Sequence, residues 1–153
     1  MTDTHLNCPA LRVVMMPGDT NPAGNIFGGH ILSLIDMAGA VETQRICRNR
    51  FVTVCMQEVV FKKPVRVGDV LTCWARVTRI GTTSITTAVD VEAERNGRII
   101  PVTTATVVYV AVNDRERPVA LRPRKGHRKD GCCLQKKSPV PAARKQKLQQ
   151  NSN

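Results

Sequence analysis

Two hydrophobic patterns divide this chain. From Gly28 to about Cys47 the apolar residues Ile31, Leu34, Ile35, Ala38 and Val41 recur at helical spacing, which predicts one long helix. From Phe51 onward the pattern becomes that of strands. The run FVTVCMQEVVF ends at Lys62-Lys63-Pro64, and Val70 to Ile80 follows the turn Val67-Gly68-Asp69. Thr83 to Arg95 alternates, with Ile85, Thr87, Val89, Val91 and Ala93 on one face and Thr86, Asp90, Glu92 and Glu94 on the other. Asn96-Gly97 is a strong hairpin signal, because both central positions of a type I′ turn need positive φ. Val102 to Val112 then returns as the partner strand.

Before the helix, Leu11–Met16 reads as a short strand stopped by Pro17-Gly18, and Asp19–Phe27 as a loop rich in Asn, Pro and Gly. The expected order is strand, helix, then four strands joined by tight turns. Short connections make those strands antiparallel, and absence of proline between Pro64 and Pro101 suits central strands. One long helix against one antiparallel sheet is an α+β architecture. A sheet curved around the helix explains why the helix is apolar nearly all round, while its end, ETQRICRNR, turns polar as it leaves the core.

Asp36 breaks that apolar helix. An unpaired carboxylate on a buried helix costs several kcal/mol, and Asp is a poor residue for a helix interior. Its helical neighbours at three and four residues either way are Leu32, Ser33, Gly39 and Ala40, none of them cationic. It either takes a partner from elsewhere in the fold or does chemistry. Gly28-Gly29 opens the helix, and the first amides of a helix lack intrahelical acceptors and carry partial positive charge. Small residues let a ligand approach them, which suits an oxyanion hole. Asp36 follows Gly29 by seven residues, so both lie on one face, ~10 Å apart along the axis.

Length and charge refine the picture. The 153 residues suggest one domain, and 42% hydrophobic content supports a core built largely without aromatics, which make up 3%. The net charge of +11 is uneven: residues 122–153 hold 10 of the 23 Lys/Arg and one of the 12 acids, leaving residues 1–121 at +2. A tail of that composition buries too little apolar surface to order itself. The expected division is therefore an extension at 1–10, a folded body at 11–121 and a basic tail at 122–153. No secretory signal and no ~20-residue apolar run occur, so a cytoplasmic protein without a membrane span is expected. Six cysteines in that setting read as reduced thiols, and Cys132-Cys133 lacks a second pair at metal-site spacing, so no metal is expected.

The stretches MMPGDTNPAGNIFGGHILSLIDMAGAV, FKKPVRVGDVL, RIGTTSI and VTTATVVYVAVN resemble the hotdog-fold acyl-CoA thioesterases of the YciA-like and brain acyl-CoA hydrolase branch, over Leu11 to Pro118. The resemblance implies a hotdog fold, a long helix wrapped by a curved antiparallel sheet. It implies hydrolysis of acyl-CoA to fatty acid and CoA, with CoA as part of the substrate and no other cofactor. It implies homodimers with shared active sites, often assembled as trimers of dimers. Asp36 is then the general base or nucleophile, Asn21 of a second subunit completes the site, and the amides near Gly28, Gly29 and His30 polarise the thioester carbonyl. Lys62 and Lys63 match a place near the nucleotide phosphates, and Gly81, Thr82, Thr83 and Ser84 a CoA-contacting turn.

Plainer readings stand beside these. Asn21 precedes Pro22 and suits an Asx turn, Asn25 suits a helix cap, Trp74 suits packing, and Thr82-Thr83-Ser84 suits a polar turn. His30 lies six residues before Asp36, ~120° away around the helix, so the two do not form one pair. A hotdog hydratase or dehydratase, which needs a His–acid pair, is the alternative enzyme. A binder of nucleic acid or anionic surfaces through the basic tail is the non-enzymatic alternative, although the tail lacks interleaved aromatics for base stacking.

Overall fold

The structure, a computed structural model, describes residues 8–124. Its elements are β1 (Leu11–Val14), a single 3-10 turn (Pro17–Asp19), α1 (Gly28–Ile46), β2 (Arg50–Gln57), β3 (Val70–Ile80), β4 (Ser84–Arg95) and β5 (Arg98–Val112). The strands form one antiparallel sheet in the order β1-β3-β4-β5-β2. Helix α1 lies against this sheet and touches all five strands.

The expected α+β layers are present, but β2 does not follow β3 in the sheet by a tight turn. It pairs with β5 at the far edge. Glu58 takes a left-handed conformation (φ 62°) and ends the strand short of the predicted Phe61. Residues 58–69 then cross to β3. The Lys62 N–H donates to the Val102 carbonyl at 2.9 Å, and the Ile26 N–H donates to the Val65 carbonyl at 2.9 Å, so the crossing segment is tied to β5 and to the loop before the helix.

The β4–β5 turn is as the pattern predicted: Asn96 and Gly97 have φ of 51° and 72°. That two-residue turn forces pairing at once, so β5 begins at Arg98 rather than Val102. Pro101, which has no N–H for a ladder, falls where the register shifts between Val91 and Glu92, a β-bulge that tolerates it.

The core lies between α1 and the sheet, with Ile31, Leu34, Ile35 and Ala38 of the helix meeting Leu71, Val89 and Val107 of the strands. Two expectations about the helix change. Its buried face runs the whole length, including Glu42 and Thr43, which are 1% and 0% exposed. The Glu42 carboxylate is compensated by Arg45 Nη1 at 2.9 Å. Conversely, the chain's own sheet does not enclose the helix: Met37 is 48% exposed and Leu32 half-buried. The surplus apolar character therefore lies on a face left open in a single chain.

The body extends slightly past the expected boundary at residue 121. The Arg48 N–H donates to the Arg122 carbonyl, and the Arg124 N–H donates to the Ile46 carbonyl at the end of α1. The rest of the predicted basic tail, with Cys132-Cys133, and most of the predicted extension lie outside the described residues. Cys8, Cys47, Cys55 and Cys73 are free thiols. Burial pushes the Cys73 thiol up to about 12, which makes it inert.

Candidate active site

The loop before α1 is organised by Asn21. Its Oδ1 accepts from the N–H groups of Ala23 (3.0 Å) and Asn25 (3.2 Å), the expected Asx turn. Nδ2 of Asn21 has no acceptor among the described residues. Asn25 does not cap the helix. The N-cap is Phe27, which has no side-chain cap bond and whose N–H donates to the Asp19 carbonyl at 2.8 Å.

An uncapped start leaves the first amides available. Among the described residues nothing accepts from the N–H of Gly28 or Gly29. The His30 N–H, in contrast, donates to the Phe27 carbonyl at 2.9 Å. Of the three amides expected to serve a substrate oxygen, two are free and one is engaged. Gly29 also has a steric reason. A Cβ there would lie 2.3 Å from the Phe27 ring, which folds back over it, whereas one on Gly28 would meet the Phe61 ring at an ordinary contact of 3.4 Å. Phe27 and Phe61 are 57% and 44% exposed, so two aromatic rings flank the open amides.

Two turns on, Asp36 sits at the border between the buried and open faces of α1, half-buried between Ile35 and Met37. Its carboxylate has no cationic partner among the described residues. Oδ1 accepts a hydrogen bond of 2.6 Å from Thr53 Oγ1 on β2. The backbone carbonyl of the same residue accepts one of 2.7 Å from the Tyr109 hydroxyl on β5. Burial, reinforced by the nearby Asp36 charge, raises the Tyr109 pKa above its usual value, so this hydroxyl stays a donor. A β-bulge between Thr53 and Cys55 interrupts the β2 ladder beside Thr53.

His30 does have an acidic neighbour, but it is Asp19: Nε2 stands 3.7 Å from Asp19 Oδ1. Asp19 Oδ2 meanwhile accepts from the Met16 N–H at 2.8 Å. This pair ties the single 3-10 turn to the helix start.

The two sets of residues expected to meet CoA are not brought together within one chain. Lys62 and Lys63 are exposed and lie beside Val102, near the β5 bulge. Gly81, Thr82, Thr83 and Ser84 form the β3–β4 turn, where the Gly81 N–H donates to the Ser84 carbonyl at 2.8 Å. The carbonyls of Thr82 and Thr83 are occupied by the N–H groups of Leu121 and Ala111. Ser84 lies seven steps along β4 from Val91 at the bulge, ~24 Å at strand rise. No group of three metal-binding side chains occurs among the described residues, and no described helix is long and apolar enough to cross a membrane.

Sequence reasoning did not single out Thr53, Tyr109 or Glu42, and Asp19 entered it only within the Asp-Thr-Asn run of the family resemblance. For Tyr109 a signal existed: it is the one tyrosine in the chain, placed in a run of Val and Ala, and a buried tyrosine hydroxyl needs a partner. Thr53 carries no such mark among the Val and Thr residues of a strand.

The chain matches known proteins over this body. The thioesterase superfamily family model fits residues 23–100. The acyl-CoA thioester hydrolase YciA of Escherichia coli is 40% identical over 130 residues, covering 79% of this chain and 98% of that protein. A hexameric hotdog fold thioesterase of Campylobacter jejuni superposes with a TM-score of 0.69 at 46% identity, covering 74% of this chain and 89% of that one. A hexameric broad specificity acyl-coenzyme A thioesterase superposes with a TM-score of 0.74 at 35% identity, covering 82% and 86%. The free helix-start amides, the oriented Asp36 carboxylate and these likenesses agree: the chain belongs to the thioesterase superfamily, in the hotdog-fold, YciA-like branch.

Proposed function

We propose that this protein hydrolyses acyl-CoA thioesters to a carboxylic acid and free CoA, with Asp36 as the reacting carboxylate. The observation that carries this is the state of Asp36. It lies two helical turns beyond the unpaired Gly28 and Gly29 amides, has no cation among the described residues, and has one oxygen held by Thr53. A single hydrogen bond on Oδ1 leaves Oδ2 available to take a proton.

Hydrolysis needs a nucleophile, a base and donors for the developing oxyanion. As general base, Asp36 takes a proton from water as the water oxygen bonds to the thioester carbon. The Gly28 and Gly29 amides hold the carbonyl oxygen while it carries the charge. Collapse breaks the C–S bond, and the departing thiolate recovers the proton. As nucleophile, Asp36 itself bonds to the carbonyl carbon, expels the thiolate, and water then cleaves the resulting anhydride. The geometry accommodates both routes.

The site is completed by a second copy of the chain. Two of the relatives described above are hexameric thioesterases. Here the open apolar face of α1 at Met37, together with exposed Val54, Val60 and Phe61, supplies a surface for such association. Asn21 of a neighbouring subunit, through its unpaired Nδ2, orients the water or carbonyl. Lys62 and Lys63 meet CoA phosphates, and the Gly81–Ser84 turn meets CoA through a different protomer, which suits their separation within one chain. A trimer of dimers is the expected assembly, and free thiols suit a cytoplasmic setting.

The test is release of free thiol from a panel of acyl-CoAs by wild type and Asp36→Ala. A loss of ~10²-fold or more in kcat, the scale of a general base, is expected with the fold intact. Hydrolysis that survives in folded Asp36→Ala would falsify the assignment. Conversion of an enoyl-CoA without thiol release would instead favour a hydratase, in which the Asp19–His30 pair becomes the acid–base candidate.

A further inference from the structure

Tyr109 does more than fill the core. It is 1% exposed, and its hydroxyl ends on the Asp36 carbonyl at 2.7 Å. In an α-helix that carbonyl also faces the N–H of the residue four further on, here Ala40, so the tyrosine adds a second donor to an acceptor with two lone pairs. The approach is possible because residue 39 has no side chain. A Cβ on Gly39 would stand 2.2 Å from the Tyr109 hydroxyl oxygen and 2.8 Å from Thr87 Oγ1. Across the ladder Tyr109 pairs with Thr53, the residue that holds the Asp36 carboxylate. Two neighbouring strands thus grip one helical residue, one at its backbone and one at its side chain.

We propose that Tyr109 is a positioning residue for hydrolysis, fixing through the helix backbone where the Asp36 carboxylate stands relative to the Gly28 and Gly29 amides, with Gly39 as the gap that admits it. This rests on the reading of Asp36 as the reacting group. Tyr109 lies beneath the helix, buried away from its open face. Its removal frees the turn that carries the reacting carboxylate, and a small displacement there is costly to catalysis.

The experiment compares wild type, Asp36→Ala and Tyr109→Phe in thiol release from acyl-CoA, with kcat and KM separated. Tyr109→Phe is expected to lower kcat about tenfold at nearly unchanged KM. If Asp36→Ala is inactive while Tyr109→Phe keeps wild-type kcat, the positioning role is overturned and the site stands. If Asp36→Ala is active, the site reading itself fails. Should Tyr109→Phe not fold, the single tyrosine offers a second route, because growth on fluorotyrosine replaces this residue alone and raises the acidity of its hydroxyl with only a small change in ring volume. An altered kcat at constant KM then supports the role, and an unaltered kcat overturns it.

Discussion

Thr53 and Tyr109 are cross-strand partners in the β2/β5 ladder, and both hydroxyls end on Asp36, one on its carboxylate and one on its carbonyl. Partners in a ladder project to the same side of the sheet, so a single register places both donors under one turn of α1. A slip of one residue in β2 would turn Thr53 away from the helix. Pre-organisation of the carboxylate is thus a property of strand register as much as of the helix.

Thr53→Val keeps the shape and removes the donor. A hydrogen bond to a charged group is worth about 1.5–3 kcal/mol, and the exposure of this one puts it at the low end. With each ~1.4 kcal/mol of barrier worth tenfold, kcat of thiol release should fall about tenfold in Thr53→Val. Thr53→Ser should stay within about threefold of wild type. A loss in Thr53→Ser with none in Thr53→Val would mean that the methyl group, not the hydroxyl, matters.

Gly39→Ala tests the closeness of helix and sheet. On an open helix this change would stabilise by up to ~1 kcal/mol. Here the new methyl would collide with the Tyr109 hydroxyl at 2.2 Å and with Tyr109 Cε2 at 2.9 Å, both on a side chain with no room to retreat. Overpacking of this kind costs about 1–3 kcal/mol. Thermal unfolding should therefore show a lower Tm for Gly39→Ala, and a raised Tm would contradict the arrangement.

Asp69 makes acid stability depend on one buried ion pair. Its Oδ1 and Oδ2 accept from Arg95 Nε (2.8 Å) and Nη2 (2.7 Å), and Oδ2 also accepts from the Arg66 N–H (2.8 Å). The Arg95 hydrogen bonds hold its carboxyl below the ordinary value of 3.8. A depressed folded pKa means stability that is fully present above the unfolded value and is lost as pH falls through the folded one. Denaturant midpoints should therefore drop as pH falls below ~4. Asp69→Asn should be less stable at pH 7 and should show a smaller loss over the same acid range. Identical pH dependence in the two proteins would assign the acid sensitivity elsewhere.

Local patterns were sufficient for the elements whose cause is local. The helix from Gly28, the strand Val70–Ile80 and the Asn96-Gly97 hairpin were legible because periodicity and turn chemistry act over a few residues. The Asp36 anomaly was legible because an acid on an apolar helix needs a reason wherever that helix ends up. The family resemblance then pointed to further candidate residues.

Tertiary structure decided what depends on residues far apart in the chain. The placement of β2 beside β5 rather than β3 follows from a crossing segment whose breaks at Pro64 and Gly68 do not say which strand it leads to, and it is this placement that brings Thr53 to Asp36 across 17 positions. Tyr109 lies 73 positions from Asp36, and its hydroxyl reaches the Asp36 carbonyl because Gly39 lets it approach. The hydrophobic pattern could state which face of each element is buried. Only the assembled sheet could state which hydroxyls that burial delivers to the carboxylate, since hydrogen-bond partners are chosen by register and not by composition.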